Sequence, residues 1–387
     1  MRRFLVWTLR LLALLVVILA ALAVWKRDDL TRLMAVNSLF APDRIVANFS
    51  HMDSLFFHAV MPRGPGPVSP LPMGDPWPLP PDVAQWIEDR SVTALVILRD
   101  GAIVHESYHL GTGPEDRRIS WSVAKSFLSA LTGTLVADGT IPSLDLPVTD
   151  YAPALTGSAY DGATLRDVLQ MSSGVTFDED YLDFWSDINR MGRVLALGGS
   201  MDGFAAGLTA RDTDPGERWQ YVSIDTHVIG MALAGATGQS VTDLMTDRIV
   251  APMGFESDPI YLTDGYGVPF VLGGLNLTTR DYARFGQMLA QGGQWQGRQI
   301  VPADWITAST TPSAPTAPGA IGYGFQWWIP AGWPAGRFLA QGVYGQFLLV
   351  DQTRNVVIAV NSADRGFEDP GVEEANHAML ARIADAL

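Results

Sequence analysis

The sequence predicts a mixed α/β (α+β) chain in which one antiparallel sheet is assembled from the two ends of the globular body. A mostly helical region is inserted between those ends. Three observations predict this. The β-branched run Val92–Leu98 is followed by Asp100-Gly101 and a second strand-like run, Ile103–Tyr108. Helical patterns then dominate from about residue 121 to about residue 310. Strand character returns at 323–328, 347–350 and 356–360, ahead of a closing helix over about 372–386.

Taken in order, the chain opens with Arg2 and Arg3 before an apolar run that is unbroken from Leu11 to Trp25, with Lys26 and Arg27 directly after. This is a membrane anchor or a signal segment over residues 1–27. A signal peptide needs an apolar stretch of about 7–15 residues and a small-residue cleavage site, which Ala21-Leu22-Ala23 supplies. The apolar character reaches back to Phe4 and approaches the roughly 20 residues that span a bilayer. Lys26-Arg27 would be an unusual start for a mature chain, so the uncleaved anchor is the favoured reading. Either way the segment directs the rest of the chain out of the cytoplasm, across the inner membrane and into the periplasm.

Residues 28–82 read as a Pro/Gly-rich extended linker: Pro62, Gly64, Pro65, Gly66, Pro67, Pro70 and Pro72 leave few backbone donors and restrict φ. The body is expected over 83–387. Its first two strands, joined at Asp100-Gly101, form a hairpin. A helix is expected from about Trp121 to Ala137, stopped by Asp138-Gly139. Further helical patterns lie at Leu165–Met171, Asp225–Ala236, Val241–Val250, Arg280–Gln291 and Ala303–Thr310.

The 387 residues are 48% hydrophobic, enough for an enzyme-sized core. A net charge of −15 argues against nucleic acid, whose phosphates are bound by surplus Lys and Arg. Without cysteine there are no disulfides, thiol nucleophiles or Cys-ligated metals. Asp and Glu show no metal-ligand spacing, and no metal or cofactor is expected.

The chemistry begins with lysine. Of 26 basic residues only Lys26 and Lys125 are lysines. Arginine does not give up its proton in proteins, whereas a buried lysine does. Lys125 follows Ser122 by three positions, which places both side chains on one helical face. Ser122 also falls at the start of its helix, where free N–H groups and the dipole favour an oxyanion. A free lysine, with a pKa of about 10.4, must be shifted down by several units to act as a base. Val123, Ala124 and Phe127 give it an apolar setting.

Two more constellations stand downstream. In Tyr221-Val222-Ser223 a phenol can relay a proton, or the tyrosine can be packing and Ser223 a helix cap. In Ala340-Gln341-Gly342-Val343-Tyr344-Gly345-Gln346 the glycines let backbone pass close to a ligand, or make a simple hairpin turn. His227 reads as an ordinary helical side chain. The acidic loop Asp178-Glu179-Asp180, with Tyr181, Asp183 and Trp185, reads as solvated rather than as a cleft wall.

As a set, these segments resemble the serine β-lactamase and DD-peptidase superfamily, in particular its class C branch with the family VIII esterases and 6-aminohexanoate-oligomer hydrolases. Supporting stretches are Gly139–Val148 with Tyr151-Ala152-Pro153, Thr164–Gly174, Pro252-Met253-Gly254 and Gly273–Asp281. The resemblance covers about residues 85–387. It implies a β-lactamase/transpeptidase-like fold with Ser122 as nucleophile, Lys125 as base and Tyr221 as proton shuttle. It further implies an oxyanion hole from the Ser122 and Val343 N–H groups, with Ser223, Gly342, Val343 and Gln346 meeting substrate. Two departures bear on the substrate. The lactamases of this family carry Tyr-x-Asn and Lys-Thr-Gly where this chain has Tyr221-Val222-Ser223 and Ala340-Gln341-Gly342. The implied activity is hydrolysis of a small amide or ester. The alternatives are a β-lactamase or DD-peptidase on the same fold, or a non-catalytic scaffold binding cell-wall fragments.

Overall fold

The computed structural model describes residues 2–387. Its thirteen strands, in chain order, are β1 (His58–Val60), β2 (Val92–Arg99), β3 (Ala102–Tyr108), β4 (Arg117–Ile119), β5 (Ile260–Leu262), β6 (Leu275–Thr278), β7 (Gln294–Trp295), β8 (Arg298–Gln299), β9 (Gly322–Tyr323), β10 (Trp328–Ile329), β11 (Arg337–Gly342), β12 (Gln346–Asp351) and β13 (Val356–Ser362). The main sheet is antiparallel and runs β3-β2-β13-β12-β11-β10-β9, so both ends of the body meet where β2 pairs with β13. A second sheet, β1-β5-β6-β4, joins the N-terminal stretch through β1 to three strands of the middle of the chain, and β7 and β8 form a small hairpin.

Both faces of the main sheet are covered, which explains why Val92–Leu98 is continuously apolar rather than alternating. Leu95, Ile97, Leu349 and Ile358 pack with Val83, Trp86 and Ile87 of the helix Pro81–Asp89 and with Leu380 and Ile383 of the closing helix Val372–Ala386. Val96, Leu98, Leu348 and Val357 face the opposite core with Phe127 and Phe285, whose rings stack 3.6 Å apart. Those two rings belong to the helices Val123–Ala137 and Thr279–Ala290.

Two stretches depart from the sequence expectation. Residues 28–60 are not an extended linker: they form the helices Arg27–Ser38 and Ile45–Ser50, and β1 pairs with β5. Leu39, Ile45, Phe49, Met52 and Phe56 are buried in the main core. The short amphipathic stretches of 28–60 have no partner within the segment itself, and the body supplies the face that buries them. Only 61–80, rich in proline, runs as an extended wrap, with Met61 and Ser69 tied to Pro259 and Gly254 by backbone hydrogen bonds. Second, 323–328 is a tight reversal and not a strand. Trp328 of β10 pairs with Tyr323 of β9, and Gln326 sits at φ +64°. The Gln326 amide is committed to the Val168 and Leu169 carbonyls, which holds the reversal in place.

The N-terminal helix Arg2–Trp25 stands clear of the body. An 18-residue window within its Arg3–Trp25 span has a mean hydropathy of 2.6, and none of that window is buried. At 1.5 Å per residue such a helix is about 34 Å long, against a hydrocarbon core of about 30 Å.

Candidate active site

Ser122 stands immediately before the helix Val123–Ala137 with helical backbone angles, so its N–H opens the helix N-terminus. The preceding Trp121 is at φ +41°, a region that costs a bulky residue energy unless its surroundings impose it. The surroundings are aromatic: Trp121, Phe40, Phe49 and Tyr344 have ring centroids 4.8 to 6.3 Å apart. The N-terminal stretch thus helps to fix the backbone that presents Ser122.

Lys125, one helical step on, is 2% exposed. Its Nζ donates to Ser122 Oγ at 3.1 Å, to Ser223 Oγ at 3.2 Å and to the Leu272 carbonyl at 2.9 Å. Burial lowers its pKa from 10.5 to about 7, against the opposing pull of Glu179 and Asp225. An amine shifted so far is neutral in a large fraction of molecules near pH 7 and is chemically a base.

Tyr221 lies on the other side. Its ring is stacked on Trp328 with centroids 5.1 Å apart, and Lys125 Nζ is 5.3 Å from the ring centre. Burial, reinforced by Glu179, pushes the phenol well above its ordinary value, while hydrogen bonding with Ser122 and Ser223 opposes the rise. The phenol therefore stays protonated, and is not a phenolate, at neutral pH.

Strand β11 delivers the remaining wall. Gly342 pairs with Gln346 at the end of the β11–β12 hairpin and passes hard against the start of the Ser122 helix. A Cβ on Gly342 would lie 2.8 Å from both the Ser122 nitrogen and the Ser120 carbonyl oxygen, so no larger residue fits without displacement. Val343 follows at the cleft, and Tyr344 and Gly345 turn the chain at φ +61° and +82°. A cleft of about 670 Å³ opens over Ser122, Tyr221, Trp328, Gln341, Gly342 and Val343.

A family model described as Beta-lactamase matches residues 83–382. The chain belongs to the beta-lactamase family. It is 31% identical over 297 residues to the 6-aminohexanoate-dimer hydrolase of Paenarthrobacter ureafaciens, a match covering 73% of this chain and 75% of that one. Among solved structures it is similar to a Bacillus anthracis protein provisionally described as a 6-aminohexanoate-dimer hydrolase, with a TM-score of 0.81 and 23% identity, over 89% of this chain and 95% of that one. It is also similar to the octameric penicillin-binding protein homologue of Pyrococcus abyssi, with a TM-score of 0.58 and 19% identity, over 78% and 76% of the two chains. These structures share its fold. Membership of the beta-lactamase family makes the chain a serine hydrolase acting on amide or ester bonds.

Within this beta-lactamase-family fold, Ser122, Lys125, Ser223, Gly342 and Val343 come together, and Tyr221 joins them. Gln346 does not line the cleft. Its amide nitrogen donates to the carbonyls of Tyr344 and Ser362, and its oxygen accepts from Asn361 Nδ2 and the Ser362 N–H. It is a buried clamp between β12 and β13 below the turn, with no group left for a substrate. His227 also faces elsewhere, its Nε2 2.8 Å from Asp202 Oδ1. Sequence reasoning missed Glu179. Its carboxylate accepts from the Ser223 N–H at 3.0 Å, from the Ser223 hydroxyl and from Tyr181 OH at 2.7 Å. The loop was read as solvated, yet Tyr181 and Leu182 line the cleft. The available signal was the tyrosine two positions after the glutamate, an amphipathic residue with no reason to lie in a purely solvated turn.

Proposed function

We propose that this hydrolase cleaves small amides or esters through an acyl-enzyme on Ser122, with Lys125 as base and Tyr221 as proton shuttle. The observation that carries the reading is a buried lysine, with its pKa held near 7, in hydrogen-bond contact with the hydroxyl of Ser122. Neutral Lys125 Nζ takes the Ser122 proton as Oγ bonds to the substrate carbonyl carbon. The carbonyl electron pair moves onto oxygen, where the Ser122 and Val343 N–H groups receive it. On collapse the C–N or C–O bond breaks, and the departing atom takes the Tyr221 phenolic proton, which Lys125 restores. Water then attacks the acyl-enzyme by the same proton path and frees the acid and Ser122.

Ala340 stands where the family's lactamases hold the lysine that faces a β-lactam carboxylate. Glu368, Asp369, Glu373 and Glu374 also line the cleft, and among the described residues no basic side chain does. Both features support esters and amides over β-lactams. A fluorophosphonate probe labels the wild type and not Ser122→Ala; equal labelling of both would end the assignment. p-Nitrophenyl butyrate is turned over faster than a chromogenic cephalosporin, and the reverse order would favour a β-lactamase.

The N-terminal helix supports an inner-membrane anchor with the catalytic body in the periplasm. After a carbonate wash the protein stays with the membranes at full mass; a mature chain starting near Val24 would instead identify a cleaved signal.

A further inference from the structure

Ser122 lies where two cavities meet. One is the polar cleft of about 670 Å³. The other, of about 360 Å³, is lined mainly by apolar side chains, among them Phe40, Met52, Phe56, Ile188, Leu195 and Phe270. Ser122 and Val343 border both, whereas Tyr221 borders only the polar cleft. In acyl transfer the group that protonates the leaving atom stands on the leaving-group side. With Tyr221 in that role, the alcohol or amine departs into the polar cleft and the acyl portion extends into the apolar cavity. This step rests on the reading of Ser122 and Tyr221 given above.

The cavity's position has a second implication. Backbone hydrogen bonds from Lys26 to Leu22 and from Leu30 to Lys26 run across the junction of the apolar N-terminal helix and the helix Arg27–Ser38. Val36, on the cavity wall, is ten residues beyond Lys26, about 15 Å along a helix. Leu182 and Phe184, which also border the cavity, are 79% and 55% exposed, and the adjacent Trp185 is 78% exposed. Three large apolar side chains within four residues of an acidic loop form a cluster and not scattered exposure.

We propose that the apolar cavity is an acyl-chain site, and that the substrates are esters or amides of carboxylic acids carrying a flexible apolar chain. The chain lies between the helix Asp187–Ala196 and the N-terminal stretch 36–56, and the head group lies in the polar cleft. Ser122 Oγ bonds to the acyl carbon as the alcohol or amine leaves with the phenolic proton, and water releases the free fatty acid. Burying each methylene raises kcat/KM about fourfold until the cavity is full.

The test uses the full-length protein and p-nitrophenyl acetate, butyrate, hexanoate and octanoate. Expected is a rise in kcat/KM of tenfold or more from acetate to octanoate; a flat or falling series overturns the proposal. Gly192 borders the cavity, and a Cβ there meets nothing within 4 Å, so Gly192→Leu adds a side chain at the cavity wall with room at its Cβ and favours the helix. It should lower octanoate turnover at least tenfold and leave acetate turnover within twofold; an equal effect on both esters counts against the site. Ser122→Ala separates the two levels. If acetate cleavage survives it, the catalytic reading fails; if acetate cleavage is lost but wild type shows no chain-length rise, only the cavity assignment fails. A long-chain ester offered in vesicles of phosphatidylethanolamine and phosphatidylglycerol at about 3:1, or dissolved in buffer, distinguishes the source. Faster cleavage from vesicles assigns a membrane amphiphile, and cleavage of the dissolved ester alone assigns a soluble one.

Discussion

Loss of water around Lys125 favours its neutral form, and two carboxylates pull the other way. Burial lowers its pKa to about 7, while Glu179 and Asp225 raise it. Below that value the amine is protonated and cannot accept the Ser122 proton, so kcat/KM for a neutral ester should climb as pH rises through about 7 and then level off. Glu179→Gln removes one of the charges that favour the ammonium form. The Lys125 pKa then falls further, and the acidic limb of the profile moves to lower pH; a shift to higher pH would contradict this account. Lys125→Arg replaces the base with a group that stays protonated, and a loss of about 10² to 10⁴-fold in kcat/KM follows at every pH. The scarcity of lysine made Ser122 and Lys125 legible from sequence, because outside the N-terminal Lys26 every other basic side chain is arginine. Glu179 was not legible, since its partner Ser223 is 44 residues away and acidic residues are usually solvated. Gln346 misled for the opposite reason: it closes a motif beside the cleft, but sheet register turns its side chain inward against Ser362.

At the scale of elements, the part of the site least legible in the sequence is the one contributed by residues 28–60. The strands and the nucleophile helix announce themselves by period and by turn residues such as Asp100-Gly101. A helix of six residues such as Ile45–Ser50 has no stability of its own and forms only because the body buries its face. Phe49 is fully buried, meeting Trp121 edge-on at 5.5 Å and Tyr344 at 5.5 Å. If this stretch were a tether, Phe49→Ala would change nothing. As a core element it should cost about 3–5 kcal/mol in chemical unfolding. Because Trp121 holds the strained backbone ahead of Ser122, the same variant should lose activity at temperatures where it remains folded. Full activity at those temperatures would show that the aromatic cluster stabilises the fold without presenting the serine.

For the whole molecule, the governing quantity is where its net charge of −15 is concentrated. Glu368, Asp369, Glu373 and Glu374 stand along the start of the closing helix and the loop before it, on the polar cleft into which the proposed leaving group would depart. A cleft lined by one sign of charge focuses its field on an approaching ligand and changes encounter rates by about 10 to 10³-fold. Among butyrate esters that differ only in the leaving alcohol, one bearing a trimethylammonium group should therefore be preferred over one bearing a sulfonate. The preference belongs in kcat/KM and not in kcat, because it acts on encounter. It should also fade with salt, as the screening length falls from about 30 Å at 0.01 M to about 3 Å at 1 M. Glu373→Gln with Glu374→Gln should reproduce at low salt what 1 M salt does to the wild type. A preference that survives high salt would instead come from direct contact, for which the aromatic side chains Phe367 and Trp328 line the same cleft. An acidic cleft with Ala340 in place of a lysine disfavours a β-lactam carboxylate, so charge distribution and motif departure both support the proposed preference for other esters and amides.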